Sequence, residues 1–443
     1  MKNKLIKASL VLLMSAGVSA VTYASSSYVA APTYTHSSGA IDLSPATISM
    51  LRTQPAMHNI HQVNNLRKAQ AEYQGYVSQG GWKAIRSGDK IEPGDSDPRI
   101  PALRQRLRAE GYESVATNYA LIVTTAQEET VFDDDLADLV KTFQARHGLD
   151  DDGVIGPATL KALNESAESK LNRIEVNLTN WADYEALGET HIWANIPSFN
   201  VQAWKNDTLD IEMNTVVGAR YTQTPAFSDE VEYMVANPKW FLPTSLFKRQ
   251  KLKKLQADPS YAAKFNYRIY DRASGEEVKA ASVDWFEPGI SSKIQMVQDA
   301  GPNNALGNIK IIFPNSNAIY LHGTPDQHLF AKSNRALSSG CIRLEDPTKM
   351  AQWIAENDER VEAKEFKEIL DAKTRKHFPL AEHIPVHITY MTVTADETGK
   401  ASFWQDVYKK QDAPILVSNE YMDYEAPNEV YQTAGTDAVI DLN

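Results

Sequence analysis

The sequence predicts an α+β chain: a small helical module, then a mainly β domain that carries an inserted helical lid. Three observations predict it. Apolar residues recur at helical spacing as far as Leu163. From Ile174 onward they alternate with polar ones in short runs, as strands do. Between about Thr244 and Val283 a basic, helix-patterned stretch interrupts that β-rich region.

The chain opens on a secretory pattern. Lys2, Lys4 and Lys7 form a cationic start, Ala8 to Ala20 is mostly apolar, and small residues follow at Ala20 and Ala24. Residues 1–24 are therefore expected to be a signal peptide and the remainder to be exported, into the periplasm of a Gram-negative-type envelope. No cysteine lies nearby for lipid attachment, and no later stretch is apolar enough to span a membrane, so no stable membrane insertion is expected after cleavage. Loss of those residues removes three lysines and no acids, taking the formal charge from −12 to −15. Such a balance argues against a nucleic-acid partner. Oligomeric state is not legible.

Residues 25–92 read as a linker and helical scaffold segment. Ser25 to Ala40 lacks periodicity, whereas Leu51, Ile60, Val63, Leu66 and Tyr73 are spaced as in a helix that Gly80-Gly81 stops. His58 and His61 lie three apart with no third ligand near them. Ile100, Leu103 and Leu107 then mark one amphipathic helix ended by Gly111, and Phe132 to His147 holds another with Asp133 and Asp134 at its start. Gly148 to Pro157 is a tight double turn, and Ala158 to Leu163 opens a third helix. Phe143-Gln144, Gly148-Leu149, Asp152-Gly153-x-x-Gly156 and Thr159-Leu160 follow the pattern of a peptidoglycan-binding domain, which residues 93–165 resemble. The resemblance implies a wall anchor or a scaffold. Asp150-Asp151-Asp152-Gly153 is not a calcium loop, because the ligand spacing and the closing glutamate are missing.

Strand patterns follow at Thr190–Pro197, Leu209–Gly218, Tyr233–Ala236, Ile309–Phe313, Ala318–Leu321 and Val386–Tyr390. The chemistry is concentrated at the ends of two of them. Cys341, the single cysteine of the chain, sits in Ser338-Ser339-Gly340-Cys341-Ile342-Arg343, nineteen residues after His322 in His322-Gly323-Thr324. A lone thiol has no disulfide partner, and in an oxidising compartment it is a liability unless it works. A thiolate is a strong nucleophile that an imidazole activates. Gly340 permits a sharp turn, and amides near Gly340 and Cys341 are candidate oxyanion donors. The constellation predicts acyl transfer. A buried, inert cysteine is the competing reading, and Ser-Ser-Gly with Arg343 is poor company for it.

Gln298-x-x-Gly301-Pro302-x-Asn304-Ala305-Leu306-Gly307, Phe313-Pro314-Asn315, Tyr320 to Pro325 and Ser338 to Arg343 resemble an L,D-transpeptidase catalytic domain of the YkuD type, with supporting pieces at Thr224–Ser228 and Asn237–Pro243. The likeness covers residues 172–412, with the lid at about 244–283 and a tail at 413–443. It is greatest to the larger, carbapenem-sensitive periplasmic members with a capping subdomain, where serine is usual at the position of Ser339. The resemblance implies that Cys341 attacks a peptidoglycan tetrapeptide stem and expels D-alanine. His322 is implied as the base, and Gly323 as the carbonyl that orients it. The acceptor would be a side-chain amine of a second stem, with water, a D-amino acid or a lipoprotein lysine as alternatives. A non-catalytic wall-binding scaffold is the rival from another class.

Arg343 is a candidate for a stem carboxylate, or else makes a loop salt bridge; Ser339, Tyr320 and Trp240 are candidate lining residues. His328 reads as a surface or packing histidine. Lys248, Arg249, Lys251, Lys253 and Lys254 form a basic face that is either solvated or a clamp for an anionic polymer. Ser245-Leu246-Phe247-Lys248 fits a Ser-x-x-Lys nucleophile pattern but lacks the partner motifs of that class. No metal ligand set or nucleotide loop is present, so no cofactor is expected.

Overall fold

A computed structural model describes residues 59–112, 130–181, 184, 187–410, 418 and 421–422. The expected signal peptide, the linker with His58, and the tail at 413–443 apart from Ser418, Tyr421 and Met422 lie outside the described residues.

Helix α1 (Asn59–Ser78) runs to the Gly80-Gly81 stop, where both glycines have positive φ. Three short helices follow, α2 (Ile100–Ala109), α3 (Asp134–Arg146) and α4 (Pro157–Leu163), and then α5 (Ala167–Trp181). The side chain of Asp133 caps α3 by accepting the Leu136 amide at 2.9 Å, and Pro157 begins α4 where a missing N–H costs nothing. Ile100, Leu103, Leu107, Phe132, Leu136, Val140, Phe143 and Leu163 meet in one small core. Gln144 explains the Phe-Gln and Asp-Gly signals together. Its amide donates to Val154 O at 3.0 Å and accepts the Gly153 amide at 2.8 Å, bracing the double turn.

This module is fastened to the rest by buried charge. Glu110 pairs with Arg106 and Lys170, all three at most 1% exposed, and Arg106 lies 3.8 Å from the Trp82 ring. Burial alone would raise the Glu110 pKa, but Lys170 and Arg106 outweigh it and hold the carboxyl well below its ordinary range. Lys170 also faces Phe403 of a hairpin formed by the last two strands among the described residues. Removing one partner of such a cluster strands the others without solvent, so the helical module and the hairpin are locked together.

The β-rich half begins with β1 (Thr190–Asn195), β2 (Asn200–Lys205), β3 (Thr208–Gly218) and β4 (Phe227–Ala236). Asn206 and Asp207, both with positive φ, make the two-residue turn between β2 and β3. β5 (Trp240–Phe241), β6 (Tyr267–Asp271), β7 (Glu277–Val278) and β8 (Ile294–Gln298) form a separate four-stranded sheet in the order β5-β8-β6-β7. The segment expected as a lid lies within it. It is helical from Thr244 to Ala257, including a π-helical turn at Phe247–Lys251, and then contributes β6 and β7. Trp240, Phe247, Leu255, Tyr267, Trp285 and Met296 give this capping subdomain its own core.

The main sheet continues with β9 (Ile309–Ile312), β10 (Leu321–His322), β11 (Ala336–Ser338), β12 (Ile342–Leu344) and, after two helices at Pro347–Glu356 and Ala363–Asp371, β13 (Lys376–Thr389). Its order is β11-β3-β12-β10-β9-β4-β13-β1-β2, and β2 also pairs with β3, so the sheet closes on itself and leaves only β11 outside the ring. β14 (Val393–Ala395) and β15 (Ala401–Phe403) form the hairpin that meets the helical module.

Candidate active site

Strand periodicity assembles the site. β10 and β12 are parallel neighbours with Leu321 beside Ile342 and His322 beside Arg343, and antiparallel β9 places Lys310 beside His322. Leu321, Ile342 and Ile311 point into the closed sheet and are fully buried. Side chains alternate along a strand, so Tyr320, His322, Cys341, Arg343 and Lys310 share the opposite face. Parallel pairing thus brings together residues nineteen apart in the chain.

Cys341 lies in the turn between β11 and β12 and is half-buried. Gly340 has a φ of 127°, a conformation that side chains rarely adopt. A lattice of short bonds holds this turn. Ser338 Oγ donates to Cys341 O at 2.6 Å and accepts the Gly340 amide at 3.0 Å. Thr224 Oγ1 donates to Gly340 O at 2.6 Å and accepts the Gly218 amide at 2.8 Å. Tyr408 closes the lattice by donating to Gly218 O at 2.6 Å. This corrects one expectation: the Gly340 amide is spent on Ser338 and is no free oxyanion donor. The candidate donor is therefore the Cys341 amide, and the part left to Gly340 is shape.

His322 is 5% exposed, and its Nδ1 hydrogen-bonds the carbonyl of Gly323 at 2.5 Å. Because a carbonyl only accepts, Nδ1 carries the proton and Nε2 keeps its lone pair. Burial first, and then the charge of Arg343, push the His322 pKa down to about 3. Gly323 has no room for a side chain, since a Cβ there would meet Pro347 at 2.9 Å and the Gly307 backbone at 3.3 Å. Burial raises the Cys341 pKa, against contacts from Tyr320 and the charges of Lys310 and Arg343 that lower it. Both groups rest neutral near pH 7.

The other expected residues divide. Tyr320 lies against Cys341 through its hydroxyl and its main-chain N–H, and its ring centre is 5.5 Å from that of His322. Trp240 is buried in the capping core and donates to the Tyr320 hydroxyl, so it reaches the site only through that ring. Arg343 takes the loop salt bridge: it bonds Asp326 at 3.0 Å and Thr324 Oγ1 at 3.3 Å, tying the histidine loop to the cysteine strand. Ser339 is exposed and accepts from Arg249 at 3.3 Å and Gln250 at 3.1 Å, which seats the four-stranded subdomain on the Cys341 loop. Of the basic face, Lys251 and Lys254 lie over the Tyr261 ring, and only Lys251 is half-buried there; Lys248, Arg249, Lys253 and Lys254 are exposed. His328 is exposed in a short 3₁₀ turn at Gln327–Leu329.

Sequence reasoning missed Ser338, Thr224, Tyr408 and Lys310 as site residues. Ser338 and Thr224 stand inside the motifs without a role legible there, because what they do is satisfy backbone groups made adjacent only by folding. Tyr408 gives no local signal. Lys310 had one: a lone lysine between Ile309 and Ile311 must project from the face opposite the core. Among the described residues, no group of three or more His, Cys, Asp or Glu is placed to hold a metal, and no helix is long and apolar enough to cross a membrane.

Comparison with known proteins adds two matches along the chain. Residues 189–363 match the family model for the L,D-transpeptidase catalytic domain, YkuD, and residues 96–163 match that for a "Putative peptidoglycan binding domain". A "Putative L,D-transpeptidase" of Haemophilus influenzae is 35% identical over 218 residues, which cover 49% of this chain and 44% of that relative. The chain thus matches less than half the length of that protein. Among solved structures, an L,D-transpeptidase of Stackebrandtia nassauensis is 10% identical, covering 69% of this chain and 96% of its own, with a TM-score of 0.25. One from Mycobacterium smegmatis is 12% identical, covering 45% of this chain and 58% of its own, with a TM-score of 0.20. Scores this low carry no weight for the geometry above.

Proposed function

We propose that this chain, which carries an L,D-transpeptidase catalytic domain behind a peptidoglycan-binding-type domain, is an exported acyltransferase that joins peptidoglycan stems through a Cys341 thioester. The observation that carries the reading is the shared face on which Cys341, His322 and Tyr320 stand, with the His322 tautomer fixed by Gly323. Cys341 Sγ attacks the carbonyl between an L-centre and D-alanine in a tetrapeptide stem. The thiol proton passes to His322 Nε2 as the new S–C bond forms, and the oxyanion is met by the Cys341 amide. The intermediate then collapses, His322 returns the proton to the departing nitrogen, and D-alanine leaves. A side-chain amine of a diamino acid in a second stem next attacks the thioester and loses its proton to His322. The thiolate departs and takes that proton from His322, restoring both neutral groups, and a 3-3 cross-link remains.

A neutral thiol and a neutral imidazole on one face make this a general-base attack triggered by substrate rather than a standing ion pair. That suits an exported enzyme, since a resting thiolate is the form that oxidants consume. Thioester chemistry of this kind also makes carbapenems expected acylating inhibitors. The wall polymer is the proposed partner. The locked contact between the helical module and the β14–β15 hairpin supports a scaffold that holds one fixed orientation to it. Incubating the pure protein with disaccharide-tetrapeptides and weighing the products tests the proposal. A dimer lighter than two substrates by one D-alanine supports cross-linking; unaltered substrate refutes it, and a tripeptide alone identifies water as acceptor.

A further inference from the structure

A cation with no carboxylate stands on the catalytic face. Lys310 projects from β9 between two isoleucines committed to the core, directly beside His322 in the strand register. Its Nζ lies 4.0 Å from the centre of the Tyr320 ring, and Tyr320 in turn lies against the Cys341 sulfur. Lys310 is half-buried, and among the described residues no carboxylate forms an ion pair with it. Arg343, the other cation on this face, is already committed to Asp326. The titratable or charged groups facing Lys310 are Tyr320 and His322 from β10, Cys341 and Arg343 from the β12 side, and His377 from β13 beyond β4. Cys341 is the one among them that can bring a negative charge at working pH, because burial holds Tyr320 protonated.

Leaving a lysine unpaired and partly buried is unfavourable, and it persists in folded proteins where the charge has a use. We propose that Lys310 is the counter-charge of the Cys341 nucleophile: it fixes the Tyr320 ring by a cation–π contact and faces the sulfur's negative charge whenever that charge appears. In the proposed reaction it appears twice, as the thiol proton leaves for His322 and as the acceptor amine expels the thiolate. Lys310 makes no bond to substrate in either step, and its role is one of position and field.

The inference rests on the thioester reading, but its test needs no substrate. Alkylation of Cys341 by iodoacetamide, followed by intact mass across about pH 6 to 10, reports the thiolate fraction directly. Lys310→Met should move the midpoint up by about one pH unit, a roughly tenfold slower reaction on the rising limb. Lys310→Arg should restore most of the native profile. A structural role alone would lower the melting temperature without moving the midpoint. Superposable native and Lys310→Met profiles overturn the proposal, as does a Lys310→Arg profile that follows Lys310→Met. Should Lys310→Met fail to fold, Lys310→Gln is read the same way. A Lys310-dependent midpoint in a protein that forms no thioester with tetrapeptide would refute the function and leave this inference standing.

Discussion

Thr224→Val removes one oxygen and nothing else of consequence in volume, which makes it a clean probe of how the nucleophile turn is held. Thr224 is fully buried. Its hydroxyl serves the Gly218 amide at 2.8 Å and the Gly340 carbonyl at 2.6 Å. Valine leaves both main-chain groups without that partner in a site too enclosed for bulk water. An unsatisfied buried group costs about 1–3 kcal/mol, so the variant should lose about 2–5 kcal/mol. Thr224→Ser keeps both bonds and gives up one methyl, which costs about 1 kcal/mol. Because Gly340 carries the turn that presents Cys341, acylation should also slow, by about ten- to a hundredfold. Denaturant unfolding followed by tryptophan fluorescence reads the first effect, and loss of carbapenem absorbance at saturating protein reads the second. A Thr224→Val protein within about 0.5 kcal/mol of native, with native acylation, would refute the claim that this lattice holds the nucleophile.

Four further outcomes follow from the geometry. His322→Ala should lower turnover by about a hundred- to ten-thousandfold while His328→Ala leaves it nearly unchanged, as steady-state release of D-alanine will measure. Since the folded His322 pKa is depressed to about 3, the unfolded chain binds a proton that the native one refuses; this part of stability is whole above about pH 6.5 and is lost as pH falls toward 3. The same depression predicts that single-turnover acylation holds its plateau down to about pH 5, where an ordinary histidine would already have switched it off. Neutralising Lys248, Arg249 and Lys253 together should raise KM about threefold or more for long glycan strands and much less for a short tetrapeptide, with weakened salt dependence; equal kinetics on both substrates would reduce the lid's charge to solvation.

Much of this site was legible before folding because two of its signals are local. A solitary cysteine in Ser-Gly-Cys-x-Arg and a histidine at a strand end are chemistry written in short words. The parallel pairing of β10 with β12 that joins them is not, for register is a property of the sheet. Arg343 shows the limit from the other side: its fork was readable, but its partner Asp326 lies seventeen residues away across a loop. That a helical segment interrupts the β-rich region after Pro243 was readable from its composition, whereas strands β6 and β7, and the sheet they complete with β5 and β8, were hidden by their brevity and by the polar residues around them. Gly340 was rightly singled out for its turn, yet its amide could not be seen as spent, because Ser338 reaches it only in the folded loop. The helical module read well from periodicity, while Glu110 and Lys170 looked like ordinary surface charges until tertiary packing buried them.

The central claim, that Cys341 carries the acyl group, is tested most directly by intact mass after brief exposure to a tetrapeptide donor without acceptor. The account predicts a native chain heavier by the donor less one D-alanine, an adduct released by hydroxylamine as a thioester is, and no adduct on a folded Cys341→Ser chain. An adduct that survives in Cys341→Ser, or a native chain that turns over donor with its thiol already blocked by iodoacetamide, would contradict it.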